Sequence, residues 1–141
     1  LGKLGDTSDP VVQGLIACLQ DEHWNVRGSA VEALGKLGDT SPPVIQGLLA
    51  RLQDENKDVR WTATSALGKL GDSSPAVIQG LVACLQDEHW NVRKAAAWAL
   101  GKLGDSSPAV IQGLEACLQD KNEDVRRAAT EALTNLGHPP D

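Results

Sequence analysis

Apolar residues recur along the chain at the spacing of amphipathic helices. One apolar run falls on a single helical face and consists of Val44, Ile45, Leu48, Leu49 and Leu52. A second run follows the pattern VRxxAxxALGKLG, in which the valine, alanines and leucines again share one face. No segment alternates apolar and polar residues at the period of two that is typical of a strand. The pattern predicts an all-α protein in which A helices of the first kind alternate with B helices of the second.

This pair of runs repeats with a strict period of 33 residues and no insertion. The aligned blocks cover residues 1–33, 34–66, 67–99 and 100–132, and a remnant covers residues 133–141. A fixed period of this length indicates similar helix pairs stacked side by side, each covering the apolar face of its neighbour. We therefore predict one α-solenoid domain over residues 1–141, with four helix-turn-helix repeats and a C-terminal cap.

Local signals predict where the helices begin and end. In the last three repeats, each A helix is expected to begin at a serine N-cap hydroxyl followed by a proline: Ser41 and Pro42, Ser74 and Pro75, and Ser107 and Pro108. Each B helix is expected to begin at an N-cap asparagine or aspartate: Asn25, Asp58, Asn91 and Asp124. Each B helix is expected to end at a left-handed glycine: Gly38, Gly71, Gly104 and Gly137.

Other glycines fall inside helices, where each costs about 1 kcal/mol relative to alanine. They occupy one position of the A helix and one of the B helix: Gly14, Gly47, Gly80 and Gly113, then Gly35, Gly68 and Gly101. Close approach between neighbouring repeats would compensate for this cost. At the C-terminal end these columns change, since Thr134 replaces the glycine and Glu115 replaces an aliphatic residue, as expected of a solvated cap.

The N-terminal end carries no such change. Leu1 aligns with the last turn of a B helix, and the first A helix keeps apolar Val12 and Ile16. We expect either that the chain is the C-terminal piece of a longer array, or that its uncapped N-terminal face associates with a second copy.

The repeated VRxxAxxALGKLGD segment resembles the short HEAT-like repeats of the phycobilisome-lyase and αRep type. The resemblance extends to an aspartate six residues before an arginine in each block: Asp21 and Arg27, Asp54 and Arg60, Asp87 and Arg93, Asp120 and Arg126. It implies a right-handed α-solenoid in which these pairs form a ladder between turn, helix and neighbouring repeat. It also implies that the B helices line a concave surface.

Composition narrows the function classes further. The chain has 13 basic and 19 acidic residues and a formal charge of -6, which disfavours nonspecific binding to nucleic acid or anionic lipid. No apolar stretch approaches the ~20 residues of a membrane helix. Cys18, Cys84 and Cys117 share one helical position and are expected to be reduced, small apolar residues near the core. Without a signal segment or glycosylation sequon, a cytoplasmic location is expected.

Catalytic and cofactor motifs are not evident in this sequence. GKLGD lacks the upstream glycine and the following Ser or Thr of a phosphate loop. His23, His89 and His138 are too far apart along the chain to form a helical zinc pair. We therefore expect no enzyme activity, no metal and no cofactor.

Three repeat positions vary strongly while most others repeat. Position 24 holds Trp24, Lys57, Trp90 and Glu123; position 28 holds Gly28, Trp61, Lys94 and Arg127; position 32 holds Glu32, Ser65, Trp98 and Glu131. These positions are four residues apart, so they form one stripe on the B helices, and all four aromatic residues fall on it. The candidate partner-binding residues are Trp24, Lys57, Trp61, Ser65, Trp90, Lys94, Trp98, Arg127 and Glu131.

Tryptophan is enriched in interface hot spots, so the stripe favours a non-catalytic scaffold that binds a protein or peptide. Nucleic-acid binding is an alternative, because Lys57, Lys94 and Arg127 accompany tryptophans that can stack on bases. Self-assembly through the stripe is a second alternative. Two interpretations in which the tryptophans have no binding function also remain open. Trp24 and Trp90 precede the predicted N-caps and could staple the helix start. Alternatively, the shared EHWN segment could reflect duplication of a two-repeat block.

Overall fold

The computed structural model describes residues 9–141, and this part of the chain is helical with no strand. Its eight helices are α1 (Pro10–Cys18), α2 (Trp24–Leu37), α3 (Pro42–Arg51), α4 (Lys57–Leu70), α5 (Pro75–Cys84), α6 (Trp90–Leu103), α7 (Pro108–Cys117) and α8 (Glu123–Asn135). Odd-numbered helices are the predicted A helices and even-numbered helices the B helices. The all-α repeat architecture read from the sequence is confirmed.

The chain divides into two compact units, Leu1–Leu70 and Gly71–Asp141. In unit 1, α1 packs on α2 and α3 on α4, while α2 contacts α4 and α1 contacts α3. Unit 2 has the same arrangement, with α5 on α6, α7 on α8, α6 against α8 and α5 against α7. Each unit therefore consists of two stacked helix pairs. A single solenoid domain over residues 1–141 stays a prediction.

The core of each unit is formed by the leucines and valines of the predicted apolar faces. In unit 1 the fully buried large side chains are Leu19, Val31, Leu34, Val44, Leu48, Val59 and Leu67. In unit 2 they include Val77, Leu81, Leu100, Leu114 and Leu133. Burial of each such side chain contributes about 1.5–3 kcal/mol. The apolar periodicity thus locates the core directly.

The A helices begin where predicted, but the capping mechanism differs. In α3, α5 and α7, proline occupies the first turn and the preceding serine is the N-cap residue, yet its hydroxyl does not accept a helix N–H. In α3, the second helical residue is Pro43, which has no N–H to donate, and Ser41 Oγ is buried with no partner among the described residues. An aspartate two residues earlier orders the turn instead, since Asp39 Oδ1 accepts Ser41 N–H at 2.8 Å. Asp72 and Asp105 repeat this contact.

The predicted N-caps of the B helices, Asn25, Asp58, Asn91 and Asp124, are wrong by two residues. In α2 and α6 the N-caps are His23 and His89, without a side-chain hydrogen bond to the helix. In α4 and α8 an asparagine caps the helix: Asn56 Oδ1 accepts Asp58 N–H at 2.8 Å, and Asn122 Oδ1 does the same for Asp124. The turn aspartate causes this shift, because Asp21 Oδ1 accepts His23 N–H at 2.8 Å and closes the turn early. Trp24 and Trp90 are therefore the first helical residues and do not precede the cap.

The predictions for the four helix-ending glycines and for four of the glycines inside helices are confirmed. The four helix-ending glycines have φ between 74° and 84°, the left-handed conformation. A Cβ on Gly47 would lie 2.6 Å from Leu19 Cδ1, and one on Gly101 would lie 2.9 Å from Ala132 Cα, so neighbouring helices approach closely there. Gly35 and Gly113 are similarly confined. Gly14 is the exception, because a Cβ there would meet no atom of the described residues within 4 Å.

Candidate interaction surface

The stripe at repeat positions 24, 28 and 32, here called the B-face, is exposed in each unit. The side chains of Trp24, Trp61, Trp90 and Trp98 are 49%, 44%, 43% and 42% exposed. They are exposed because core residues such as Ala30 and Leu34 in α2 occupy the other side of the B helix. Large apolar side chains with this much exposure on varied positions are characteristic of interaction surfaces.

In unit 1, two tryptophans from different helices line one groove. Trp24 on α2 and Trp61 on α4 lie on a groove of about 250 Å³ between these helices. Gly28 lies in the same groove, so no side chain projects into it from position 28 of α2. Two carboxylate residues, Glu32 and Asp58, also line it. The groove is therefore aromatic and acidic.

A second depression of about 110 Å³ follows further along the same two helices. It shares Glu32 and Trp61 with the groove and adds Lys36, Ser65 and Lys69. The charge of the lining thus changes from acidic near the start of the B helices to basic near their ends. Lys57, another predicted site residue, is exposed at the first position of α4.

In unit 2 the tryptophans instead lie on one helix. Trp90, Lys94 and Trp98 are spaced four residues apart on α6 and are all exposed. Lys102 continues this row, and its Nζ lies 5.6 Å from the centroid of the Trp98 ring, within cation–π range. Aromatic and basic side chains therefore alternate along this row.

The adjacent helix of unit 2 carries the remaining predicted residues. Arg127 on α8 lies 3.7 Å from Glu123 and 3.8 Å from Asp124, and both contacts are exposed. Glu131 is exposed one turn further along. Exposed pairs of this kind contribute about 0–1 kcal/mol, so Arg127 is free to exchange partners.

Beneath the B-face of unit 1, a buried ion pair fixes the turn before the helix. Arg27 donates from Nε to Asp54 Oδ2 at 2.8 Å and from Nη2 to Asp54 Oδ1 at 2.9 Å. Its Nη1 donates to the Asp21 carbonyl at 2.8 Å, and Arg51 also reaches Asp54 at 2.9 Å. Burial raises the pKa of Asp54, but hydrogen bonds from Arg27 and the Asn56 N–H and the charges of both arginines outweigh it, so this pKa lies below its ordinary value.

The same ladder contact is present in unit 2. Arg93 donates to both carboxylate oxygens of Asp120, at 2.7 and 3.1 Å, and to the Asp87 carbonyl at 2.8 Å. Burial of Asp120 is again outweighed by Arg93 and by the Asn122 N–H, which lower its pKa. The contact that the family resemblance implies, between turn, helix and next repeat, is thus confirmed within each unit.

The cysteines lie on the A helices, away from the B-face positions. Cys84 and Cys117 are buried and Cys18 is half-buried, and all three are free thiols. Burial, reinforced by the Asp120 carboxylate, raises the pKa of the Cys117 thiol to about 11, so it is almost fully protonated at neutral pH. No group of three His, Cys, Asp or Glu side chains in residues 9–141 is placed to hold a metal ion. None of the helices in that range is long and apolar enough to cross a membrane.

Helix pairs in register, ladder pairs between turns and left-handed glycine ends together define a HEAT-type helical repeat. The chain belongs to the HEAT repeat family, whose model matches residues 1–51 and 45–134. No curated protein sequence matches the chain significantly.

Solved structures with the same fold include both enzymes and binding proteins. The CpcE and CpcF complex of phycocyanin lyase from Nostoc sp. PCC7120 is 31% identical, with a TM-score of 0.74 over 89% of this chain and 53% of that one. Human deoxyhypusine hydroxylase is 28% identical, with a TM-score of 0.74 over 90% and 43%. A designed armadillo repeat protein in complex with the peptide (KR)4 is 21% identical, with a TM-score of 0.71 over 89% and 64%, and this likeness concerns the fold alone. The chain spans less than two thirds of each of these proteins.

Three residues of the unit 1 groove, Gly28, Glu32 and Asp58, were not among the predicted contact residues. Asp58 reads as an N-cap, yet it lines the groove beside the tryptophans. In the sequence, Gly28 is simply one more residue at a variable position. In the structure, its lack of a side chain leaves the groove open. The available signal was that position 28 is small only here and holds Trp61, Lys94 or Arg127 elsewhere.

Proposed function

We propose that this chain is a non-catalytic interaction module that binds a protein or peptide on its B-face. The proposed contact residues are Trp24, Lys57, Trp61, Ser65, Trp90, Lys94, Trp98, Arg127 and Glu131. One observation carries the proposal: all four indoles of the chain are more than two-fifths exposed, and all occupy the positions at which the repeats differ. Exposed tryptophans of this kind are typical energetic centres of protein interfaces.

The absence of catalysis is part of the proposal. Repeats present similar groups in register, whereas a catalytic site needs unlike groups that converge on one point. The buried thiol of Cys117 has a raised pKa and is therefore a poor nucleophile. Because some HEAT-like structures belong to enzymes, this part of the proposal depends on the residues of this chain and not on its fold.

Binding of a protein or peptide is favoured over binding of nucleic acid. The unit 1 groove places Glu32 and Asp58 beside its tryptophans, where they would repel phosphates. The formal charge of -6 acts in the same direction. If nucleic acid were the partner, affinity would fall steeply with added salt because counterions are released.

The test is selection of peptide ligands from a displayed random library on the immobilised full chain, followed by affinity measurement on variants. Four substitutions copy residues that other repeats carry at the same position: Trp24→Lys, Trp61→Lys, Trp90→Glu and Trp98→Glu. The control is Val11→Ala, because Val11 is 61% exposed and apolar but lies on an A helix.

We expect selected peptides to bind the Val11→Ala variant as tightly as the parent chain. The double variants of each unit should lose at least about tenfold in affinity, since interface tryptophans are frequent hot spots. Circular dichroism should show unchanged helix content. Peptides that bind all tryptophan variants equally well, or a library that yields no specific ligand, would contradict the proposal.

A further inference from the structure

The unit 1 groove points to a specific chemistry of partner. We propose that this groove binds the cationic side chain of a peptide, an arginine or a lysine, between Trp24 and Trp61 and beside the carboxylates of Glu32 and Asp58. This inference rests on the proposed function and narrows it to basic peptide ligands. It concerns unit 1 only.

The aromatic part of the argument is that two indoles from different helices share one cavity. Trp24 and Trp61 both line the groove of about 250 Å³, and each is more than two-fifths exposed. Cations bind over aromatic faces, and tryptophan is the strongest such partner. Two indoles around one cavity provide more of this surface than either ring alone.

The charge of the groove selects the sign of the ligand. Glu32 and Asp58 are the charged residues that line it, and both are acidic. Within residues 9–141, no ion pair joins either of them to a basic side chain. Both carboxylates are therefore available to a basic side chain that enters the groove, and an arginine can bind carboxylates with its guanidinium while it stacks on an indole.

Gly28 leaves the space that the ligand would occupy. Its ideal Cβ would meet only Val59 Cγ2, at 3.9 Å, so the groove above it is open. The same repeat position holds Lys94 and Arg127 in unit 2. A basic side chain at this position is therefore compatible with the helix, and in unit 1 it would occupy the groove from within.

The adjoining depression limits how many cations the site accepts. Lys36 and Lys69 line it; Lys36 is one helical turn beyond Glu32 on α2, and Lys69 is two turns beyond Trp61 on α4. They would repel a second basic residue of the peptide at that end. The groove thus favours one cationic side chain near Trp24 over a continuous polybasic segment.

The experiment uses the full chain labelled with ¹⁵N and follows its four indole Nε1–H signals during titration. The probes are capped Ala-Ala-Xaa-Ala-Ala peptides in which Xaa is arginine, lysine or citrulline. Citrulline has nearly the shape of arginine but no charge. Arginine and lysine peptides should shift the Trp24 and Trp61 signals, and the citrulline peptide should bind at least about fivefold more weakly.

Variants at position 28 distinguish an effect on occupation of the groove from an effect on folding. Gly28→Lys should weaken arginine-peptide binding at least about fivefold, because a tethered ammonium then fills the site. The matched control Gly28→Ala should keep affinity within about twofold, since its Cβ makes only ordinary contact. Glu32→Gln and Asp58→Asn should each weaken binding about two- to fivefold.

Equal binding of the citrulline and arginine peptides would overturn the inference, as would Trp24 and Trp61 signals that do not move. Its failure is distinguishable from failure of the proposed function. If library peptides lose affinity on Trp24→Lys and Trp61→Lys while replacement of their basic residues by citrulline has no effect, the B-face binds partners and only the cation specificity is wrong.

Discussion

Units 1 and 2 share a backbone arrangement but present their tryptophans differently. In unit 1, Trp24 and Trp61 come from two helices and line one groove. In unit 2, Trp90 and Trp98 lie on the same helix, with exposed Lys94 between them. The same repeat therefore presents its tryptophans across a groove in one unit and along a single helix in the other.

The residue at position 28 contributes to this difference. Gly28 leaves a gap beside Trp61, whereas Lys94 and Arg127 place long side chains at the same position. Most core positions of the two units hold the same residue, as at Leu34 and Leu100, although the buried Val31 corresponds to Ala97. In a HEAT repeat of this kind, the surface residues vary between repeats while the fold stays the same.

The units also differ in how deeply their ladder pairs are buried. The side chains of Arg27 and Asp54 are 7% and 1% exposed, and Arg51 adds a third member. The side chains of Arg93 and Asp120 are 10% and 11% exposed. The stability contributed by the ladder should therefore differ between the units.

The largest effect is expected for Asp54→Ala. It leaves Arg27 buried without its carboxylate partner, which costs about 3–5 kcal/mol in the free energy of unfolding. Asp120→Ala should cost less, because water reaches that pair more easily. Urea unfolding followed by circular dichroism measures both variants, and an equal or larger loss for Asp120→Ala would contradict the difference in burial.

A smaller effect on the free energy of unfolding is expected for alanine substitutions at the interhelical glycines, and its size should differ between positions. Gly101→Ala should lower the free energy of unfolding by about 1–3 kcal/mol, because the new Cβ lies 2.9 Å from the backbone of Ala132. Gly35→Ala should cost less, since its closest contact is Ala66 Cβ at 3.1 Å and higher helix propensity offsets part of the strain. Gly14→Ala is the control and should stabilise by up to about 1 kcal/mol, since it faces open space. The same urea measurements apply, and destabilisation by Gly14→Ala would show a contact that the structure lacks.

Substitutions at the N-caps should change the free energy of unfolding by about 1 kcal/mol. Asn56→Ala removes a cap that accepts two helix N–H groups and should destabilise by about 1 kcal/mol. His23→Asn introduces the same cap at the start of α2 and should stabilise by about 0.5–1 kcal/mol. Thermal unfolding of both variants checks the pair, and an unchanged midpoint for His23→Asn would indicate that α2 cannot use the asparagine cap.

The smallest effect is expected in the pH dependence of stability. The pKa values of Asp54 and Asp120 are lowered from 3.8 on folding, so the unfolded chain binds protons more readily. Their contribution to stability is thus present above 3.8 and is lost as the pH falls through the lowered folded values. The urea midpoint should decline between about pH 5 and about pH 3, and less steeply in Asp54→Asn and Asp120→Asn. An identical slope in both variants and the parent chain would contradict this assignment.

Much of this fold could be predicted because the signals are local and repeat. The helix-ending glycines, such as Gly38, each adopt the predicted left-handed conformation, and the apolar faces identify the buried leucines. The N-caps could not be predicted correctly, because Asn25 and Asp58 are good caps in isolation and only the Asp21-type turn moves the helix start. Local propensity and turn geometry compete there, and the turn prevails.

The candidate surface was predictable only in part. Exposure of the tryptophans follows from helical spacing, since Trp61 lies opposite the core positions of α4. The groove depends on which residues of two neighbouring helices come together, and Trp24 of α2 and Asp58 of α4 line the same groove. That pairing depends on tertiary packing and cannot be predicted from the spacing of residues within a single repeat.

The most direct test measures stability and affinity together on Trp61→Lys, a substitution that copies Lys94 of unit 2. If the B-face serves binding and not packing, the free energy of unfolding should stay within about 0.5 kcal/mol of the parent chain. The affinity of a library-selected peptide that shifts the Trp61 indole signal should fall at least about tenfold. A variant that loses stability but keeps its affinity would contradict the account.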